Sequence, residues 1–77
     1  MGRTKQTEPA LVEFGARVRA RRLELGWSQE RLAQEVGLHM TYVSSVERGE
    51  RNISLRNIVR LAGALSVDTG ALTKGLT

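Results

Sequence analysis

The sequence predicts an all-α protein, a compact bundle of about five helices. Three observations carry this. Apolar residues recur at intervals of three, four and seven along most of the chain. Glycines stand where one stripe ends and the next begins, at Gly26, Gly37 and Gly49, where a left-handed residue is a common helix stop. No β-hairpin signal and no internal repeat breaks the pattern.

Met1 to Thr7 is polar and aperiodic, and residues 1–7 are expected to be a flexible tail. The first helix is expected from Pro9, which suits a first helical position, to Leu25, with Leu11, Phe14, Val18 and Leu25 on one stripe. The second opens at Ser28, whose hydroxyl can cap it. Arg31 stands where a reciprocal capping glutamate would be, so the full capping box is missing. Leu32, Ala33 and Val36 form its inner face and Gly37 ends it. The third is expected from Met40 to Arg48, with Val43 and Val46 inward, and Gly49 stops it. Ser54 can cap a fourth helix, Leu55 to Leu65, with a stripe of Leu55, Ile58, Leu61, Ala62 and Leu65. Asp68 can cap a short last helix bearing Ala71, Leu72 and Leu76.

Composition bounds what such a bundle can do. Seventy-seven residues make one domain, expected over 8–77. A chain this short buries only about 60% of its unfolded surface, and one such core supplies roughly 3–5 kcal/mol of net stability. There is no cysteine, and a single histidine excludes a multi-histidine zinc site, so neither metal nor cofactor is expected. Aromatics are 4% of residues, few for stacking single-stranded bases. The net charge of +4 points to an acidic partner. No apolar run approaches the ~18 residues of a membrane span, and Met1 to Gln6 lacks a signal-peptide stretch, so a cytoplasmic protein without membrane contact is expected.

The informative segment is Gln29 to Arg48. Two short helices meet around one glycine, with Leu32, Ala33 and Val36 on one side and Val43 and Val46 on the other. Ala33 is small where the helices must cross closely. Gly37 offers a cheap left-handed turn, and Leu38 can plug the gap. This is what a helix-turn-helix needs: two helices locked at a steep angle, with the outer face of the second free to enter a DNA major groove. A helical hairpin that binds nothing is the plain alternative. The outer face carries Thr41, Ser44 and Ser45, short polar side chains that let a helix sit deep and meet base edges or phosphates. Tyr42 fits either a phosphate contact or the edge of the core. His39 suits a phosphate contact near the helix start, or simple exposure. The opening of the second helix at Gln29 suits phosphate, Arg17 and Arg56 are further phosphate candidates, and Arg48 completes the set. The tail, with Arg3 and Lys5, has an alternative reading as a minor-groove arm.

The runs Trp27-Ser28-Gln29-Glu30-Arg31-Leu32-Ala33, Val36-Gly37-Leu38 and Val46-Glu47-Arg48-Gly49 resemble the Cro/repressor-type (Xre-type) helix-turn-helix family. The likeness covers about Phe14 to Leu72 and implies the lambda-repressor-like DNA-binding fold. His39 to Leu55 looks most like the controller proteins of restriction–modification systems. Those are small dimers that bind operator DNA and time expression of the restriction gene, activating at one site and repressing at another. Activation would make RNA polymerase a partner. The resemblance further implies that Gln29 touches the DNA backbone and supports the recognition helix. It makes Arg51 and Asn52 a loop contacting groove and phosphate, and it pairs Arg22 with Glu47 in a structural ion pair. Met40 departs from the pattern, since controllers often carry Arg there. Met cannot read guanine with two hydrogen bonds, but it can pack on a thymine methyl.

Size and symmetry predict a homodimer on a palindromic operator, because one recognition helix covers few base pairs. Leu65, Val67, Leu72 and Leu76 are the expected dimer surface, made by a C-terminal dimerisation helix. Completion of the monomer core is their plain alternative. Two other functions compete. One is an antitoxin-like or phage-type repressor whose domain also serves as a protein-interaction module. The other is an enzyme, excluded by the lack of a nucleophile–base–orienter set and of a phosphate-cradling glycine loop.

Overall fold

The computed structural model describes residues 8–77, and the expected tail and its minor-groove alternative fall outside them. Five helices follow in order: α1 Pro9–Glu24, α2 Gln29–Val36, α3 Met40–Glu47, α4 Leu55–Ala64 and α5 Thr69–Thr73. No strand occurs among the described residues. Leu25, Arg48 and Leu65 are C-caps rather than last helical residues. The Ser28 hydroxyl accepts from the Arg31 N–H at 3.0 Å, and that of Ser54 from the Asn57 N–H at 3.1 Å. Each satisfies one of the backbone donors that a helix start leaves open. Asp68 takes the N-cap position of α5, but its side chain makes no capping bond.

The core is one cluster. Phe14 and Val18 of α1 meet Leu32, Ala33 and Val36 of α2, and Val43 and Val46 of α3. Leu61, Ala62 and Leu65 of the α4 segment and Leu72 of α5 close the far side. Each large side chain buried this way contributes about 1.5–3 kcal/mol before the entropy of ordering is subtracted. α3 lies against both α1 and α2, while α4 and α5 pack on each other, on α2 and on α1 respectively.

Two expectations are corrected by this packing. Leu55 is not on the buried stripe of α4: it is 72% exposed. It is the first residue of that helix, one turn before the chain reaches the core at Ile58. Leu65 and Leu72 are not a free dimer surface, since they are 0% and 2% exposed and finish the monomer's own core. With so few large apolar residues, the bundle needs both of them inside. Val67 and Leu76 pack on the same cluster and stay half-buried.

Candidate nucleic-acid interface

The turn between α2 and α3 is fixed from three sides. Gly37 adopts φ +79°, and its N–H and that of Leu38 both donate to the Ala33 carbonyl, at 2.8 and 3.0 Å. From α4, the Arg60 guanidinium donates to the Val36 carbonyl at 2.9 Å. A cation here also opposes the negative end of α2. Leu38 is half-buried against the core, filling the corner.

α3 is set on α1 by backbone contact. A Cβ at Gly15 would overlap the Val46 carbonyl oxygen and lie 2.7 Å from that of Glu47. Only glycine lets the two helices come this close. Just past α3, a Cβ at Gly49 would lie 2.8 Å from the Cα of Val12, again on α1.

The end of α3 is held by a buried ion pair. Arg22 Nε donates to Glu47 Oε2 at 2.7 Å, and its Nη2 to Oε1 at 3.0 Å. The two side chains are 8% and 3% exposed. Arg22 Nη1 also donates to the Trp27 carbonyl at 2.8 Å, and Gln29 Nε2 to Glu47 Oε1 at 3.0 Å. The hydrogen bond to Glu47 raises the Arg22 pKa above its ordinary value, against the opposing effect of burial. Among the described residues, every buried polar side-chain atom has a hydrogen-bond partner. The pair thus ties α1, the α1–α2 corner, the start of α2 and the end of α3 into one unit.

With its inner face locked, α3 presents an outer face of Met40, Thr41, Ser44 and the following Arg48. Met40 is 51% exposed, Thr41 and Arg48 are exposed, and Ser44 is half-buried. Arg48 Nε and Nη2 donate to the Glu50 carboxylate at 3.1 and 3.2 Å, and Nη1 donates to the Ser44 hydroxyl. The Glu50 hydrogen bond raises the Arg48 pKa. His39 is exposed at the N-cap, and its side chain makes no capping bond.

Ser45 is not exposed on this face. It is 7% exposed; its hydroxyl donates to the Tyr42 carbonyl at 2.8 Å and accepts from Arg51 Nε at 3.0 Å. At 100° per residue, Ser45 falls about 40° from Thr41 and about 60° from Tyr42, at the edge of the outer face. Its burial follows from the Tyr42 carbonyl and Arg51 closing over it rather than from the helix period. Tyr42 lies at the core edge, half-buried, its hydroxyl accepting from Asn57 Nδ2 at 3.2 Å. The Arg51 guanidinium lies 5.2 Å from the Tyr42 ring centre. Arg51 thus folds back on α3, while Asn52 is exposed. Gln29 is half-buried and directed at Glu47.

Sequence reasoning missed Gly15 and Arg60. An interior glycine on a helix that otherwise reads well is a legible sign of close approach. Nothing in the sequence separates Arg60 from the other arginines.

The helix-turn-helix family model matches residues 18–72. The chain is 53% identical over 55 residues to the control protein C.BamHI of Bacillus amyloliquefaciens, covering 70% of this chain and 68% of that protein. It is 52% identical to the restriction–modification controller protein C.AhdI of Aeromonas hydrophila, whose crystal structure superposes with a TM-score of 0.79 over 80% of this chain and 94% of that one. The biofilm regulator SinR, solved in complex with DNA, is 32% identical with a TM-score of 0.73 over 77% of this chain and 95% of that one. The chain belongs to the Xre-type helix-turn-helix family of DNA-binding regulators, and within it is most like the control proteins of restriction–modification systems.

Proposed function

We propose that this protein is a dimeric, sequence-specific transcription regulator that binds a palindromic operator and times expression of restriction–modification genes in the cytoplasm. The observation that carries the reading is the division of α3. One face is fixed to α1 and α2 by Gly15 and the Arg22–Glu47 pair, and the other is exposed, short and polar. A helix of eight residues spans about 12 Å, enough to cross a major groove and touch a few base pairs. Thr41 and Ser44 then meet base edges, Met40 packs on a thymine methyl, and His39, Arg48, Arg51 and Asn52 face the backbone. Tyr42 sets the height of the helix from the core edge. Gln29 acts through Glu47 on the recognition helix. Where the regulator activates, RNA polymerase binds beside it.

Two copies would place two such helices in successive major grooves, with half-sites ~10 bp apart or a multiple of that. Of the exposed large apolar side chains Val12, Leu23, Met40, Leu55 and Val59, the pair one turn apart on α4, Leu55 and Val59, 72% and 51% exposed, is the surface assigned to a second copy, with support from half-buried Val67 and Leu76. Selection of bound duplexes from a random pool at fixed salt tests the reading. A palindrome with regular half-site spacing is expected. Weak, salt-sensitive binding with no enriched sequence would replace it with a protein-interaction module. Sedimentation at high micromolar concentration tests the second copy: a dimer is expected for the wild type and a monomer for Val59→Glu, and a monomeric wild type refutes it.

A further inference from the structure

Most arginines in the described residues are already engaged. Arg17, Arg21, Arg31 and Arg48 each face a glutamate at 2.8–3.1 Å. Arg22 is buried against Glu47, and Arg51 and Arg60 are bound to a hydroxyl and to carbonyls. Arg19 and Arg56 differ: neither forms a hydrogen bond or ion pair with a described residue, and both are exposed. Only Arg19 stands beside the recognition helix. It lines an open cleft of about 440 Å³ together with Arg22, Gln29, Ser44, Glu47 and Arg48.

Among the described residues, Glu47 faces Arg22 and Arg48 faces Glu50, while no carboxylate faces the Arg19 guanidinium. We propose that the cleft seats one phosphodiester of the operator backbone and that Arg19 is the cation that holds it. A guanidinium offers a planar fork that matches two phosphate oxygens. Because Arg19 has no glutamate to leave, it binds without breaking an ion pair, unlike Arg17 or Arg31. Arg48 also lines the cleft but is restrained by Ser44 and Glu50, and contributes less.

The inference rests on α3 entering the groove of duplex DNA, and the test separates the two. Binding of the full chain to its selected operator and to an unrelated duplex is measured across a salt series for wild type, Arg19→Gln, Arg19→Lys and Arg31→Gln. Arg19→Gln removes one contact from each protomer of the dimer, so it is expected to lower the log–log salt slope by about 1.8, two phosphates' worth of released counterion, and to weaken binding roughly sixty-fold near 0.1 M salt. The loss should be equal on both duplexes, since a backbone contact carries no sequence information. Arg19→Lys should keep the slope, and Arg31→Gln should keep both slope and affinity. Circular dichroism and the thermal midpoint should not move in Arg19→Gln, because no intramolecular bond is lost. A wild-type slope in Arg19→Gln, or a loss confined to the operator, overturns the cleft and leaves the regulator intact. Failure of the wild type to bind any duplex overturns both.

Discussion

Glu47→Gln removes the negative charge at the centre of the α1–α2–α3 junction and little volume. In the native protein Glu47 accepts two charge-assisted hydrogen bonds from Arg22 and one from Gln29. Bonds to charged groups contribute about 1.5–3 kcal/mol each. The variant carbonyl can accept from one nitrogen of Arg22, but the guanidinium stays 8% exposed with no counter-charge. Breaking one side of a buried pair costs roughly 3–5 kcal/mol. That matches the ~3–5 kcal/mol expected for a whole domain of this size, so the variant should be largely unfolded at 25 °C. Urea unfolding followed by circular dichroism, with an osmolyte present to recover a native baseline, gives the difference. The companion is the double variant Arg22→Met, Glu47→Leu, which buries no charge and should recover most of the loss, as replaced buried pairs often do. A Glu47→Gln unfolding free energy within a few tenths of a kcal/mol of wild type would refute the argument. Since the Arg22 pKa is raised on folding, its contribution is complete below the ordinary arginine pKa and is lost only as pH rises through the still higher folded value. This shift therefore leaves stability flat through neutral pH.

Three further outcomes are expected. Gly15→Ala must push α3 away from α1 and should cost at the upper end of ~1–3 kcal/mol, whereas Gly63→Ala, with no atom within 4 Å of the new carbon, should gain ~0.5–1 kcal/mol; paired thermal unfolding compares them, and equal midpoints would discredit the close approach. Arg60→Met leaves the end of α2 without its cation, so a loss of ~1–2 kcal/mol is expected, together with weaker operator binding at temperatures where the fold persists; unchanged stability would remove Arg60 from the turn. Met40→Arg, on the exposed start of α3, should shift the selected operator toward guanine at one position per half-site, with ~1–3 kcal/mol of discrimination. An unchanged consensus would mean that Met40 faces no base.

Helix order and nearly every boundary could be read from the chain because caps and glycine stops are local chemistry. Ser28, Gly37 and Ser54 act as their positions implied. Errors arose where burial is set by how the elements pack rather than by a residue's composition or period. Ser45 has the composition of an outward residue, yet Arg51 and the Tyr42 carbonyl satisfy its hydroxyl and permit its burial. Leu65 and Leu72 look surplus until α4 and α5 close on α1, after which they are core. Leu55 fits the stripe by period, but the helix starts before the core begins. The Arg22–Glu47 pair was legible only through family likeness, since a spacing of 25 residues carries no local signal.

The contact between Gly15 and the α3 carbonyls runs from backbone to backbone, so the tilt of α3 against α1 does not depend on any side chain of the outer face. Substitutions at Met40, Thr41 and Ser44 can change which bases are read while leaving the docking angle as it is. Preference for an operator and integrity of the scaffold can thus drift separately, and a lineage of such regulators can acquire new target sites one outward residue at a time without passing through unfolded intermediates.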